Sequence, residues 1–523
     1  MGQNRSPASR HVFRSATRGL ALAAILVLQA PATIAAEVGG GVLRVAATDV
    51  PAALGNPFKS MGATAGSVWD LIFDCLMRFD QSGALAPGLA TRWENPNPTT
   101  WRFHLRSDVR FFSGAPVDAS AILKTIEILK SHPEYPVSGE ISTIARVAAI
   151  DKLTVEIVTT VPDAILPRRL ALVRIVDPAV WEDLGPDQFA RTPGGSGPYQ
   201  PNNWGQTGGK IILKANTASW RAPKSVSQLE MTILKDATTR VQALLSGQVD
   251  VALSLNPDDM QTLKTDGFNV YVSKSGQVQV WALPNLLKPN SPLNDVRVRQ
   301  AMNFAVDKEK ISVTLLNGIA LPASQGGTAN AFGYNPDLKP YPFDPERARR
   351  LLSEAGYPQG FSMIADVVVG LGPADAQIHQ KAASDLGNVG IRVELRTTPY
   401  SARPGKFYGG MWGDADAFST TWNSGLYRDV IRSAADFACT KPNPFFCDEE
   451  ITALVKQSQS LMDTRQREQT LQQIMKLNHV AATSLWLVEY NTIIGLAPRI
   501  SNFATRSTGM AIEDVLLTQE SRN

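Results

Sequence analysis

The feature that most constrains the fold of this chain is an alternation of strand-type and helix-type segments, each with its own stop signal. Trp101–Leu105, Leu153–Ile157 and Ile391–Leu395 place apolar residues at every second position, the period of a half-buried strand. Other segments space their apolar residues three and four apart. Asp344, Pro345 and Glu346 read as N-cap, first-turn proline and first-turn acid of a helix. Its apolar face is Ala348, Leu351, Leu352 and Ala355, and Gly356 is its stop. Asp295–Lys310 repeats this pattern through Val298, Ala301, Met302, Ala305 and Val306, which predicts a single helix there. Near Thr238 a helix carrying Val241, Leu244 and Leu245 ends at Gly247, and Val249–Leu253 follows as a strand. Alternation of this kind predicts α/β domains.

The N-terminus predicts export. Up to Arg18 the chain holds Arg5, Arg10, Arg14 and Arg18 and no acid. An apolar run, Gly19–Leu28, and a small-residue stretch, Ala30–Ala36, follow. That order is the order of a secretory signal peptide, and the run is about half the roughly twenty residues of a spanning helix. Cleavage falls after Ala36 or after Ala35, so residues 1–36 are expected to be removed. No cysteine lies near the cleavage region, so lipid attachment is not expected and the periplasm is the expected destination. The formal charge of +3 over 523 residues falls to near neutral without the four arginines. A near-neutral mature chain gives no reason to expect nucleic acid or an anionic membrane as partner.

Catalytic spacing is missing. His104, His132, His379 and His479 show no metal-ligand pattern. Gly194–Pro198 approaches a nucleophile elbow around Ser196, but Pro198 and Pro201 forbid the helix that must follow. Gly208-Gly209-Lys210 ends like a P-loop, yet Trp204 and Ile211 occupy its first glycine and its hydroxyl position. No enzyme activity, metal or cofactor is therefore expected. Cys439 and Cys447 flank a Pro-rich loop and are expected to form a disulfide, while Cys75 reads as a buried thiol.

Six phrases, in order, carry a family resemblance. They are Asp70–Asp80, Leu85–Glu94, Trp101–Arg106, Val109–Val117, Gly195–Tyr199 and Asp295–Asn303. The chain resembles the large solute-binding proteins of ABC importers, the peptide- and nickel-type group designated family 5. The resemblance implies the two-lobe periplasmic-binding-protein fold, type II, with an extra α/β subdomain inserted in the first lobe. The expected first lobe is residues 37–55, 190–278 and 489–523, the insertion is 56–189, and the second lobe is 279–488. The chain would then cross between lobes near Val278 and Val488. A monomer that closes on a small solute and presents it to an inner-membrane permease is the implied function. A sensor feeding a chemoreceptor and an exported hydrolase are the other readings.

The resemblance also implies a site. Gly413–Trp422 matches a family strand that runs into a ligand-facing tryptophan, so Trp422 is the first candidate, with a core tryptophan as the alternative. Peptide binders of the family place a carboxylate three residues later, to pair with the peptide's amino group; here that position is Gly425. Asn423, Tyr427, Arg428 and Asp429 fill the loop with hydrogen-bonding groups, and Asn423, Tyr427 and Asp429 are taken as contacts. Trp281 and Asn285, after the first crossing, and Asp49, after the opening strand, complete the expected set. The missing acid argues for a polar solute other than an ordinary peptide.

Overall fold

The computed structural model describes residues 40–49, 51–204, 210–284, 288–370, 372–399, 406, 409–506 and 509–518. The expected leader and Asn285 lie outside the described residues.

The strand-type runs assemble mainly into one large sheet. In chain order its described strands are β1 (Gly41–Ala47), β2 (Tyr199–Trp204), β3 (Lys210–Ala215), β4 (Val226–Ile233) and β5 (Val251–Leu255). Then come β6 (Asn269–Ala282), β7 (Phe361–Val369), β8 (Ile391–Pro399), β9 (Ala417–Asn423) and β10 (Ser484–Leu496). Their order across the sheet is β2-β3-β4-β1-β5-β10-β6-β9-β7-β8. A separate antiparallel sheet orders Ala90–Asn97, Thr100–Leu105, Thr154–Thr159 and Ile144–Asp151. The helix Ala119–Ser131 contacts it and buries Ala121, Ile122, Thr125, Ile126 and Leu129, one face at helical spacing. This sheet shares one apolar core with β1, β3 and β4, through Leu43, Phe103, Ile157, Leu213 and Leu229.

Two strands tie the halves of the large sheet together. β6 and β10 run antiparallel for most of their length, from Asn269 opposite Leu496 to Ala282 opposite Ser484. Near its C-terminal end β10 also pairs with β5, and the later half of β6 pairs with β9. Their ladder slips between Lys274 and Gln277, so Ser275 and Gly276 form a bulge where the two halves meet. Gly276 sits there at φ +71, a conformation that residues with a Cβ rarely adopt. The crossings were expected near Val278 and Val488, a few residues from this irregularity.

The helix expected over Asp295–Lys310 is two helices. Val296–Ala305 is capped by Asp295 and Lys308–Leu315 by Asp307, with Val306 extended between them. The apolar spacing runs through the break and hides it. The break is stabilised locally, because the Lys308 ammonium donates to the carbonyls of Asn303 and Val306 at the open end of the first helix. The false elbow is also explained. A Cβ at Gly195 would overlap the Ile72 carbonyl oxygen, and Ser196 is buried, donating to Asp74 Oδ2 at 2.8 Å.

Candidate functional site

Residues directly opposite one another in an antiparallel ladder point to the same face. At the junction of β9, β6 and β10 this produces two cross-strand rows. Asn423, Gln277 and Tyr490 form one, and Trp422, Val278 and Glu489 form the other, on the opposite face. Trp422 and Asn423 are consecutive, so the strand sends them apart. The two expected contacts thus lie on opposite faces of the sheet.

Trp422 is a core residue. It is 0% exposed, lies 3.8 Å from Phe437 between ring centroids and 5.2 Å from Trp486, and its indole N–H donates to Ser484 Oγ at 3.0 Å. Gly326 lies so close to its ring that a Cβ there would overlap it. The indole donor expected to face a solute is thus already engaged. Trp281 is equally buried, and its N–H donates to His379 Nδ1 at 3.0 Å. Burial holds that histidine down to about 4, so its imidazole is neutral and Nδ1 is free to accept. Asp49 is exposed just beyond β1.

The loop after β9 turns its polar groups inward. Asn423 Oδ1 accepts the N–H of Gly425 at 3.0 Å. Tyr427 is buried, and its hydroxyl donates to Glu140 Oε2 at 2.7 Å. Asp429 is 0% exposed and pairs with Arg467 Nη1 at 2.7 Å and with Arg168 Nε at 3.5 Å. Its other oxygen accepts the N–H of Ile431. Asp429 therefore does not reach back to serve as the missing acid. Arg168 Nη1 also donates to the carbonyls of Tyr427 and Arg428. The Ala164 N–H adds a further link to Gln459 O at 2.8 Å. The 424–430 loop is thus a seam to which the distant residues Glu140 and Arg168 are tied.

Gly425 lacks a side chain for a steric reason. A Cβ there would overlap the Ser275 carbonyl oxygen, and a Cβ at Gly276 would come within 2.6 Å of the Gly425 Cα. The two glycines pack backbone to backbone at the bulge. Gly425→Asp is therefore expected to lower the urea midpoint and to give no affinity for trialanine. Calorimetry showing trialanine bound by the variant would mean that the loop relaxes around the new side chain.

Three further polar residues lie here, of which the sequence named Arg428, as part of the polar loop, but neither Tyr490 nor Glu489. Tyr490 is buried with its hydroxyl unpartnered. Glu489 is half-buried on β10, and burial pushes its carboxyl up to about 7. Arg428 is buried with Nε and Nη1 unpartnered. No local motif marks them, since only the β6–β10 register and the loop path bring them to the junction. Cys439 and Cys447 are joined in a disulfide with Cα atoms 4.6 Å apart, as expected of the Pro-rich loop. Together with Glu449 they are the cluster of metal-type donors among the described residues, and the disulfide takes both sulfurs.

Residues 84–442 match the family model described as bacterial extracellular solute-binding proteins, family 5, middle region. The chain belongs to that family. Among family 5 relatives, heme-binding protein A of Haemophilus influenzae is 24% identical over 485 residues, covering 84% of this chain and 85% of the relative. The dipeptide-binding protein of Escherichia coli is 27% identical over 378 residues, covering 66% and 70%. Of solved structures, the ABC transporter-associated periplasmic binding protein DppA from Helicobacter pylori, in complex with the peptide STSA, superposes with a TM-score of 0.74. It is 22% identical, and the match covers 92% of this chain and 98% of that one. The architecture is thus the two-lobe fold of family 5.

Proposed function

We propose that this family 5 protein is the periplasmic receptor of an ABC importer. It captures a peptide-like or other small polar solute between its lobes and presents the closed form to inner-membrane permease subunits. The observation that carries this reading is the pair of hinge strands, β6 and β10, slipped in register at Ser275–Gly276. Two lobes joined by a short irregular segment close as rigid bodies about it. Residues 37–55, 190–278 and 489–523 are assigned to one lobe, 279–488 to the other, and 56–189 to the insertion. The seam contacts Glu140–Tyr427 and Arg168–Asp429 fit a closed form. The leader supports export, and the lack of catalytic spacing supports binding without turnover by a monomer.

Peptides with a free α-amino group are expected to bind weakly, because Gly425 stands where an acid would hold the ammonium. Mass spectrometry of the native protein is expected to find a bound small solute that stays unaltered on incubation. Catalytic conversion of a peptide or glycoside panel would replace this reading with a hydrolase. Sub-micromolar affinity for trialanine would overturn the preference against ordinary peptides.

A further inference from the structure

Arg428 is buried, 5% exposed, yet its Nε and Nη1 meet no hydrogen-bond partner. Asp429, the adjacent carboxylate, is held instead by Arg467 and Arg168. Glu140 accepts from the Tyr427 hydroxyl. Asp429 is thus matched by two guanidinium groups, while the third, that of Arg428, is buried with no carboxylate on it. A guanidinium removed from water without a counter-charge is expensive to keep. Burial lowers the Arg428 pKa from its ordinary value, as expected for a cation without a counter-charge.

The backbone holds this side chain in place. Arg428 lies at φ +50, in the left-handed region that a residue with a Cβ rarely occupies. The conformation is pinned on two sides, by Phe332 N–H donating to its carbonyl at 2.9 Å and by Arg168 Nη1 donating to the same oxygen at 3.1 Å. The side chain then runs between Gly83 and Gly276. A Cβ at Gly83, in the turn between strands Met77–Phe79 and Leu85–Pro87, would lie 3.2 Å from Arg428 Cδ. A Cβ at Gly276, on the hinge bulge, would lie 3.7 Å from Nη1. Glycines thus clear the space along the chain of Arg428 on the lobe side and on the hinge side.

We propose that Arg428 is the anion anchor of the solute site, taking a carboxylate of the solute on its unpaired guanidinium edge as the lobes close. This rests on the solute-binding reading and assigns the solute to the carboxylic acids. The planar fork of a guanidinium matches the two oxygens of a carboxylate, and the contact would supply the missing counter-charge. The amide row of Asn423 and Gln277, which ends at the same bulge, is suited to the rest of a polar acid.

The test uses the mature protein and its Arg428→Gln and Arg428→Met variants. Trialanine, N-acetylglutamate and citrate are titrated by calorimetry, the first two against their amides and citrate against glycerol. Glucose 6-phosphate serves as a phosphate arm. The expected result is that a carboxylate probe binds at least 30-fold more tightly than its neutral counterpart, and that Arg428→Gln abolishes this preference. Equal binding of acid and neutral probe, an unchanged preference in Arg428→Gln, or preference for the phosphate ester would overturn the proposal. Stability of the unliganded protein gives an independent readout. Arg428→Met is expected to raise the urea midpoint, because it removes an uncompensated buried charge, whereas a fall would make Arg428 structural and sink the proposal. If the solute-binding reading itself fails, wild type and variants alike show no saturable response to any probe, while the midpoint still reports on Arg428.

Discussion

Trp422→Ala is expected to destabilise the protein by about 3–5 kcal/mol, the range for deleting a buried aromatic side chain. The ring is 0% exposed and packs on Phe437 and Trp486 at centroid distances of 3.8 and 5.2 Å. Its removal leaves a cavity that Gly326, on the other side of the ring, has no side chain to fill. Trp422→Phe is the control. It keeps an aromatic body in the cavity but leaves the Ser484 hydroxyl without the indole donor, a loss of about 1 kcal/mol. Urea unfolding should therefore rank wild type, Trp422→Phe and Trp422→Ala in that order. If Trp422→Ala keeps the wild-type midpoint and loses only solute affinity, the ring belongs to the binding surface after all.

The second large effect is expected at Asp429. Removing it leaves Arg467 and Arg168 buried without their shared carboxylate, and breaking one partner of such a pair costs about 3–5 kcal/mol. Asp429→Ala should lower the urea midpoint sharply. The double change Asp429→Leu with Arg467→Met should recover the part of the loss owed to Arg467, while Arg168 still lacks its carboxylate. A full wild-type midpoint in Asp429→Ala would show that the two guanidinium groups find water or another acceptor. Since Arg168 also donates to the carbonyls of Tyr427 and Arg428, the single variant should also raise protease sensitivity at residues 424–430. That would place the weakened contact at this loop.

Much of the fold was legible because its signals are local. Two-residue alternation located the Thr100–Leu105 and Ile391–Pro399 strands, and Asp344, Pro345 and Gly356 marked a helix found at Pro345–Glu354. The break at Val306 was not legible, because Asp307 caps a new helix inside an unbroken apolar spacing. The candidate site was legible to a smaller extent. Alternation alone separates Trp422 from Asn423, and the chosen contacts set that rule aside in favour of resemblance. Asp429 and Tyr427 have polar side chains suited to a solute, but Tyr427 spends its hydroxyl on Glu140, 287 residues away, and Asp429 its carboxylate on Arg467, 38 residues away. Arg428 differs from them only in what surrounds it. Its neighbours Gly83 and Gly276 come from a distant turn and from the β6 bulge, a proximity that sequence spacing does not encode.

The backbone-to-backbone contact of Gly276 and Gly425 has a consequence for how this receptor's preference can change. With a Cβ at position 425 overlapping Ser275 O, an acid introduced there alone strains the bulge before it can gain an ammonium partner. The bulge at Ser275–Gly276 must first shift to make room, and that bulge lies in the ladder that ties the two halves of the large sheet together. A change of residue at 425 is therefore coupled to the geometry of that ladder. A laboratory evolution experiment seeking peptide affinity should find its gains in paired changes at 275–276 and 425, with the intermediate single mutants disfavoured along either route.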